Sequence, residues 1–337
     1  MREALKLAKK MRSWIAAPRA TCSKLILPSL WPRAKISGAT LVLQSPLATG
    51  FSWKPGFLKK PGFSRVSQVH RGEALTIYAI VNQKGGVGKT TTTINLAAAW
   101  AEKGDRVLVA DIDPQGGATL HLGHRPDALD KTIWTALQAG LRAPGAPPPL
   151  HEFIIRAAAD PIDLLPANLE LSLAEQELQA AFNRERRLER LLEPVRGQYE
   201  RILIDCPPHL GILTVNALAA ADAVLVPFVP EFLSTRGLQA VFVVINRVRQ
   251  ELNYGLHVAG LIVTQSDSRI GTHKRWEEQV RSLVGANLPI FENVIPNNID
   301  LAKAAAAGRS ALAFAPRSNG AQAYRALAEE IKHGEKA

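Results

Sequence analysis

The stretch Gln83-Lys84-Gly85-Gly86-Val87-Gly88-Lys89-Thr90-Thr91 follows an apolar run, Thr76–Val81, and opens an Ala-rich segment, Thr90–Lys103. That order predicts a strand, a loop and a helix. Glycines let a backbone pass close to a ligand without Cβ clashes, so that amide N–H groups converge on an anion. A helix beginning near Lys89 adds the positive end of its dipole at the same point. Lys89 is placed to reach β- and γ-phosphate oxygens, and the Thr90 hydroxyl to ligate Mg2+. The glycine that usually opens G-x-x-x-x-G-K-[ST] is Gln83 here, with Lys84 behind it.

On either side the chain alternates between strand and helix signals, which predicts an α/β fold built on a doubly wound, mostly parallel sheet flanked by helices. Strand-like runs are Thr76–Val81, Arg106–Ala110, Ile162–Leu165, Arg201–Ile204, Ala223–Phe228, His257–Val263 and Ile290–Val294. Helix-like stretches include Thr90–Lys103, Leu169–Phe182, Arg184–Val195, Ser234–Leu252, Lys274–Val284 and Ala321–Lys332. The last puts Tyr324, Leu327, Ala328 and Ile331 on one face, suited to docking on the sheet. Pro144–Pro149 reads as a surface loop.

Acids fall where such a sheet needs them. Asp111 and Asp113, in Val107-Leu-Val-Ala-Asp111-Ile-Asp113-Pro114-Gln115-Gly116, follow the second strand, and Asp205, in Asp205-Cys-Pro-Pro208, ends a later one. The carboxyl ends of parallel strands border the ligand crevice, and a carboxylate there can hold Mg2+ through water. Singly, an aspartate at a strand end is a turn or cap residue. Three of them behind one phosphate loop read as a site.

With these residues in hand the chain resembles the ParA/Soj/MinD group of deviant Walker A ATPases, over Thr76 to Lys332. The resemblance rests on Lys84-Gly-Gly-Val-Gly-Lys-Thr-Thr91, Asp111-Ile-Asp-Pro-Gln-Gly116 and Asp205-Cys-Pro-Pro208. Leu213-Thr-Val-Asn-Ala-Leu218 and Glu231 to Gly237 resemble ParA-type sequences in particular. It implies an ATP- and Mg2+-dependent ATPase. Lys84, Gly85, Gly86, Val87, Gly88, Lys89, Thr90 and Thr91 would bind the nucleotide, with Lys84 reaching a dimer partner's phosphates and Pro296 near the adenine. Lys84, Lys89 and Asp113 would be catalytic, with Asp113 orienting the attacking water. Thr90, Asp113 and Asp205 would serve the metal. Arg269 and Lys303 would meet DNA. The implied cycle is an ATP-bound homodimer on non-specific DNA in the cytoplasm, at the nucleoid, released after hydrolysis stimulated by a ParB-like partner, with no stable membrane association. One departure stands out: ParA/Soj chains commonly read Ile-Pro-Arg-Asn-Val-Arg where this one has Ile295-Pro-Asn-Asn-Ile-Asp300, which removes two cations and should weaken phosphate contacts.

Composition is that of a globular protein: 337 residues, 47% hydrophobic and 21% charged. Two cysteines, Cys22 and Cys206, give neither a disulfide framework nor a paired metal motif. The net charge of +11 is unevenly spread: residues 1–75 hold 14 Lys/Arg against two acids, and the remainder holds 27 against 28. The basicity therefore belongs to an N-terminal extension, 1–75, and residues 76–337, the expected P-loop ATPase domain, are near neutral. In the extension Leu5, Ala8, Met11 and Ile15 share a helical face among Lys6, Lys9, Lys10 and Arg12. That pattern could be a basic surface helix or a transit-like segment, but the expected reading is a flexible extension, or upstream sequence included by a mistaken start site.

Alternatives remain at this level. A MinD-like membrane ATPase needs a bulky amphipathic C-terminus, whereas this chain ends Lys332-His-Gly-Glu-Lys-Ala337. An iron–sulfur relative needs paired cysteines, and a tyrosine-kinase relative a tyrosine-rich tail. An ATPase that positions a protein cargo, and a small-molecule ligase using the same loop, are the readings from other classes.

Overall fold

The computed structural model describes residues 75–142, 148–230, 234–266, 280 and 288–335. Residues 1–74 of the extension, Glu231, residues 143–147, Arg269 and the expected helix Lys274–Val284 apart from Val280 lie outside the described residues.

The elements that frame the site are β1 (Thr76–Ile80), α1 (Lys89–Glu102), β2 (Val107–Asp111), α2 (Gly117–His121), α3 (Ile133–Arg142), β3 (Ile155–Arg156), β4 (Asp163–Leu165), α4 (Ala174–Ala180), α5 (Arg187–Leu192), β5 (Arg201–Asp205), α6 (Ile212–Ala220), β6 (Ala223–Phe228), α7 (Ser234–Glu251), β7 (His257–Val263), α8 (Ile299–Ala306), α9 (Ala311–Phe314) and α10 (Asn319–Gly334). The sheet runs β3-β4-β2-β5-β1-β6-β7. All pairings are parallel except that of β3 with β4.

Strand side chains alternate between two apolar layers. Ile77, Ala79, Leu108, Ala110, Ile202, Ile204, Val224 and Val226 join the layer with α3, α5, α6 and α7. Tyr78, Ile80, Val107, Val109, Leu203 and Leu225 join the layer with α1, α9 and α10. A sheet covered on both faces needs apolar residues at every position, which is why these strands read as continuous hydrophobic runs. The expected docking face of α10 is present: Tyr324, Leu327, Ala328 and Ile331 are all buried. Each large aliphatic side chain buried this way stabilises the fold by about 1.5–3 kcal/mol. Arg201, Tyr78 and Glu335 bond to one another and fasten the end of α10 beneath β1 and β5.

Six of the seven expected strands lie within one residue of their places at either end. Ile290–Val294 does not form a strand. It meets β7 through one isolated bridge, Leu261↔Ile290, and the residues just beyond each segment form a second, Ser266↔Pro296. The Glu292 and Asn293 N–H groups turn instead to the Glu330 carboxylate on α10, 2.6 and 3.0 Å away, and Pro296 has no N–H to give. Leu169–Phe182 is a 3-10 turn, Leu169–Leu173, leading into α4. Arg184–Val195 is likewise broken, as 3-10 turns on either side of α5, with Pro194 near the start of the second.

Candidate functional site

Register builds the site. β2 pairs with β5 so that Asp111 lies opposite Asp205, and β5 pairs with β1 so that Asp205 lies opposite Ile80. Two carboxylates thus end adjacent strands at the place where β1 gives way to residues 81–88. Those residues wrap to the start of α1 through two left-handed glycines, Gly86 at φ 72° and Gly88 at φ 82°, a conformation that favours glycine because it has no Cβ.

Within the loop, Asn82 is buried and fixes the entry. Its Nδ2 donates to the Pro227 carbonyl at 2.6 Å, and its Oδ1 accepts the Lys84 N–H at 2.9 Å. Lys89 is buried, and its Nζ donates to the Lys84 carbonyl at 3.2 Å. Burial pulls the Lys89 ammonium below the usual lysine range, while the charges of Asp205 and Asp113 act in the opposite direction. Thr90 Oγ1 donates to Asp205 Oδ2 at 2.7 Å, and Thr93 Oγ1 to Asp205 Oδ1 at 3.0 Å. Both oxygens of this fully buried carboxylate are therefore oriented by one face of α1.

The three aspartates divide by environment. Asp111 is fully buried. Its Oδ2 accepts the Thr119 N–H and hydroxyl at 2.9 and 2.8 Å, and its Oδ1 accepts the Asp113 N–H at 3.1 Å. Thr119 Oγ1 also receives the Ala167 N–H at 3.0 Å, so Asp111 knits β2 to α2 and to the chain beyond β4. Asp113 is half-buried, its Oδ1 closing a turn on the Gln115 N–H at 2.9 Å. Burial and neighbouring negative charge push the Asp111 and Asp205 carboxyls well above the carboxylate range. The Thr90 hydroxyl and the Asp205 carboxylate are hard oxygen donors of the kind Mg2+ takes, and they could hold it beside the Lys89 ammonium.

The structure thus brings Lys84, Gly85, Gly86, Val87, Gly88, Lys89, Thr90 and Thr91 together with Asp111, Asp113 and Asp205. Pro296 is joined to the same end of the sheet through Ser266. Lys303 is exposed on α8, and no hydrogen bond or ion pair among the described residues links it to the phosphate loop. Asp300 sits in the first turn of α8 behind the cap Asn298, whose Oδ1 accepts the Asp300 N–H at 2.7 Å. An acid there complements the helix dipole. His209 Nε2 lies 2.8 Å from Glu175 Oε1, a tie to α4 rather than to the phosphate loop. Cys206 is buried, and burial beside Asp205 pushes its thiol well above the usual range, which suits packing and not nucleophilic chemistry.

Sequence reasoning missed Asn82, Thr93, Thr119, Thr264 and Gln265. Thr93 carried a usable signal, lying three residues beyond Thr90 on the same helical face. Thr264 and Gln265 follow β7 at its carboxyl end, where the strand-end rule applies.

The family model for the AAA domain matches residues 75–258. The sporulation initiation inhibitor protein Soj of Bacillus subtilis is 38% identical over 255 residues, 76% of this chain and 97% of that protein. The chromosome partitioning protein ParA of Myxococcus xanthus is 39% identical over 255 residues, 76% of this chain and 87% of its own. Among solved structures, a Mycobacterium smegmatis protein described as cobyrinic acid a,c-diamide synthase, with bound ADP and magnesium, superposes with a TM-score of 0.67. It is 34% identical, covering 78% of this chain and 96% of that one.

Proposed function

This chain belongs to the Soj/ParA group within the AAA domain family, and we propose that it is a nucleotide-driven partition switch: an ATP-bound homodimer on non-specific DNA, released after hydrolysis. It is a P-loop ATPase whose cofactors are ATP and Mg2+, as bound ADP and magnesium in the M. smegmatis neighbour support. The observation that carries the reading is the paired register of Asp111 and Asp205 beneath a loop whose first position is Gln83-Lys84 in place of glycine.

In this reading Lys89 and the N–H groups of residues 85–91 hold the phosphates, and Lys84 meets those of the partner copy. Bound Mg2+ supplies charge neutralisation at the phosphates. Asp205, fixed by Thr90 and Thr93, orients the metal's ligands. Asp111 acts through the backbone of Asp113, and Asp113 orients water for attack in a site where positioning and electrostatics do the catalysis. A ParB-like partner stimulates turnover, and the protein works in the cytoplasm at the nucleoid, with Arg269, Lys303 and the basic extension as its candidate DNA contacts. No helix of the described residues is long and apolar enough to cross a membrane.

A second reading, an ATPase positioning a protein cargo, is favoured by one observation. Asp300 lies in the first turn of α8, complementing the helix dipole, where commonly an arginine would meet phosphate. Duplex binding and molecular mass measured with ATP and with ADP, over a salt series, test both. ATP-dependent dimers that bind random-sequence duplex with a steep salt slope support partition. ATP-dependent dimers that ignore duplex at every salt concentration support the cargo reading, and ATP-independent mass refutes the switch.

A further inference from the structure

Gln265 is one of only two non-glycine residues with positive φ among those described, at φ 52°. Side chains other than Gly, Asn and Asp rarely adopt this conformation. The residue is exposed, so apolar burial does not account for it. Its Nε2 donates to the Gly86 carbonyl at 2.5 Å, 179 positions away in sequence. The residue before it acts on the next peptide. Thr264 Oγ1 donates to the Val87 carbonyl at 2.9 Å, with the Phe228 carbonyl sharing that proton at 3.1 Å.

In a trans peptide the C=O and the following N–H point in opposite directions. Anchoring the Gly86 and Val87 carbonyls from the β7 side therefore turns the Val87 and Gly88 N–H groups away from β7. Glycine at 86 leaves these peptide planes otherwise free to rotate, and no side chain of the loop itself restrains the Gly86 carbonyl among the described residues. The far side of Gln265 is tied as well. The Ser266 N–H donates to the Ile295 carbonyl at 3.1 Å, and the Ser266 carbonyl accepts the Asn297 N–H at 3.0 Å. The strip carrying Pro296 is thus fastened to the residue next to the hook.

We infer that Gln265 is a positioning residue for nucleotide binding, holding the Gly86–Val87 peptide so that its N–H faces the phosphates and coupling the phosphate loop to the Ile295–Asn297 strip. The assignment rests on the reading of residues 83–91 as the ATP site. The left-handed backbone at 265 is what aims the side chain at the loop.

The test compares the full-length chain with Gln265→Met, close in size but without a donor, and Gln265→Gly, which also removes the backbone strain. Affinity for a fluorescent ribose-labelled ATP with Mg2+ and the thermal midpoint are measured for each. The expected result is a loss of affinity of about 3- to 10-fold in both variants, the worth of one hydrogen bond, with the Gln265→Gly midpoint at or above wild type. Wild-type affinity in both variants overturns the inference and leaves the ATP site standing. Affinity losses that follow a falling midpoint also overturn it, as they mark a merely structural residue. Failure of the wild-type chain to bind the probe removes the ATP site and the inference together.

Discussion

Replacing Asp113 separates hydrolysis from nucleotide binding if the three aspartates divide their work as their surroundings indicate. Asp113 is half-buried, and its one side-chain hydrogen bond among the described residues closes the turn to the Gln115 N–H at 2.9 Å. Loss of that bond in Asp113→Ala costs about 0.5–1.5 kcal/mol, small against a stability of about 5–15 kcal/mol. Asp113→Asn costs less, because its amide oxygen still accepts the Gln115 N–H. Neither change touches the Thr90 and Thr93 bonds to Asp205. Removing one partly exposed negative charge beside a polyanion shifts ATP affinity by no more than about fivefold, towards tighter binding. Water orientation and proton acceptance by a placed carboxylate are worth about 100- to 10,000-fold in rate. Single-turnover phosphate release from labelled ATP, with Mg2+ and excess protein, is therefore expected to fall by that factor in both variants while equilibrium binding holds. Wild-type release by Asp113→Asn would refute the role of the carboxylate. Loss of ATP binding in Asp113→Ala would show that Asp113 serves the ground state instead. Asp111→Ala provides the contrast: it strips a fully buried group of three hydrogen bonds, and denaturant unfolding should show a severe loss of stability.

Three further outcomes are expected. His121 is buried, its Nε2 has no hydrogen-bond partner among the described residues, and burial lowers its pKa from 6.5 to about 4. A depressed folded-state pKa means that stability is full above pH 6.5 and is lost as pH falls towards 4. At pH 5 the unfolded state's preference for the proton amounts to about 2 kcal/mol, so the urea midpoint should drop more between pH 7 and 5 in wild type than in His121→Leu. Leu327→Ala, in the buried seam between α10 and α1, should lower unfolding free energy by about 2–5 kcal/mol, with ATP affinity of the folded protein unchanged by fluorescence titration. Asp300→Arg should cost about 0.3–1 kcal/mol at the start of α8, read by denaturation. It should also steepen the salt dependence of duplex binding by about 0.9 in log–log slope if that surface faces phosphate; an unchanged slope places DNA elsewhere.

Much of the site was legible because its chemistry is local. The run from Gln83 to Thr91 carries its own glycines, lysines and hydroxyls, and the strand before it and helix after it are set by adjacent residues. The alternation of apolar strands with helices made the doubly wound sheet readable, and the positions of six strands followed from unbroken hydrophobic runs that a two-sided core demands. Ile290–Val294 misled for the same reason: it has the composition of a strand, yet the Glu292 and Asn293 amides are claimed by Glu330, a competitor about 38 positions away that no local pattern announces.

Sequence alone therefore determined the phosphate loop, the class of fold and the presence of three acids at strand ends, since each depends on neighbours a few positions apart. Tertiary structure alone decided how each acid is buried and bonded. Asp111 and Asp205 became a buried pair through strand register, and Asp113 was left at the rim. The same holds for the hands on the loop: Thr93 on Asp205, Thr264 and Gln265 on the Val87 and Gly86 carbonyls, across separations of 112, 177 and 179 residues. Burial and hydrogen-bond direction are properties of what packs around a group, and a chain acquires them only when its distant segments meet.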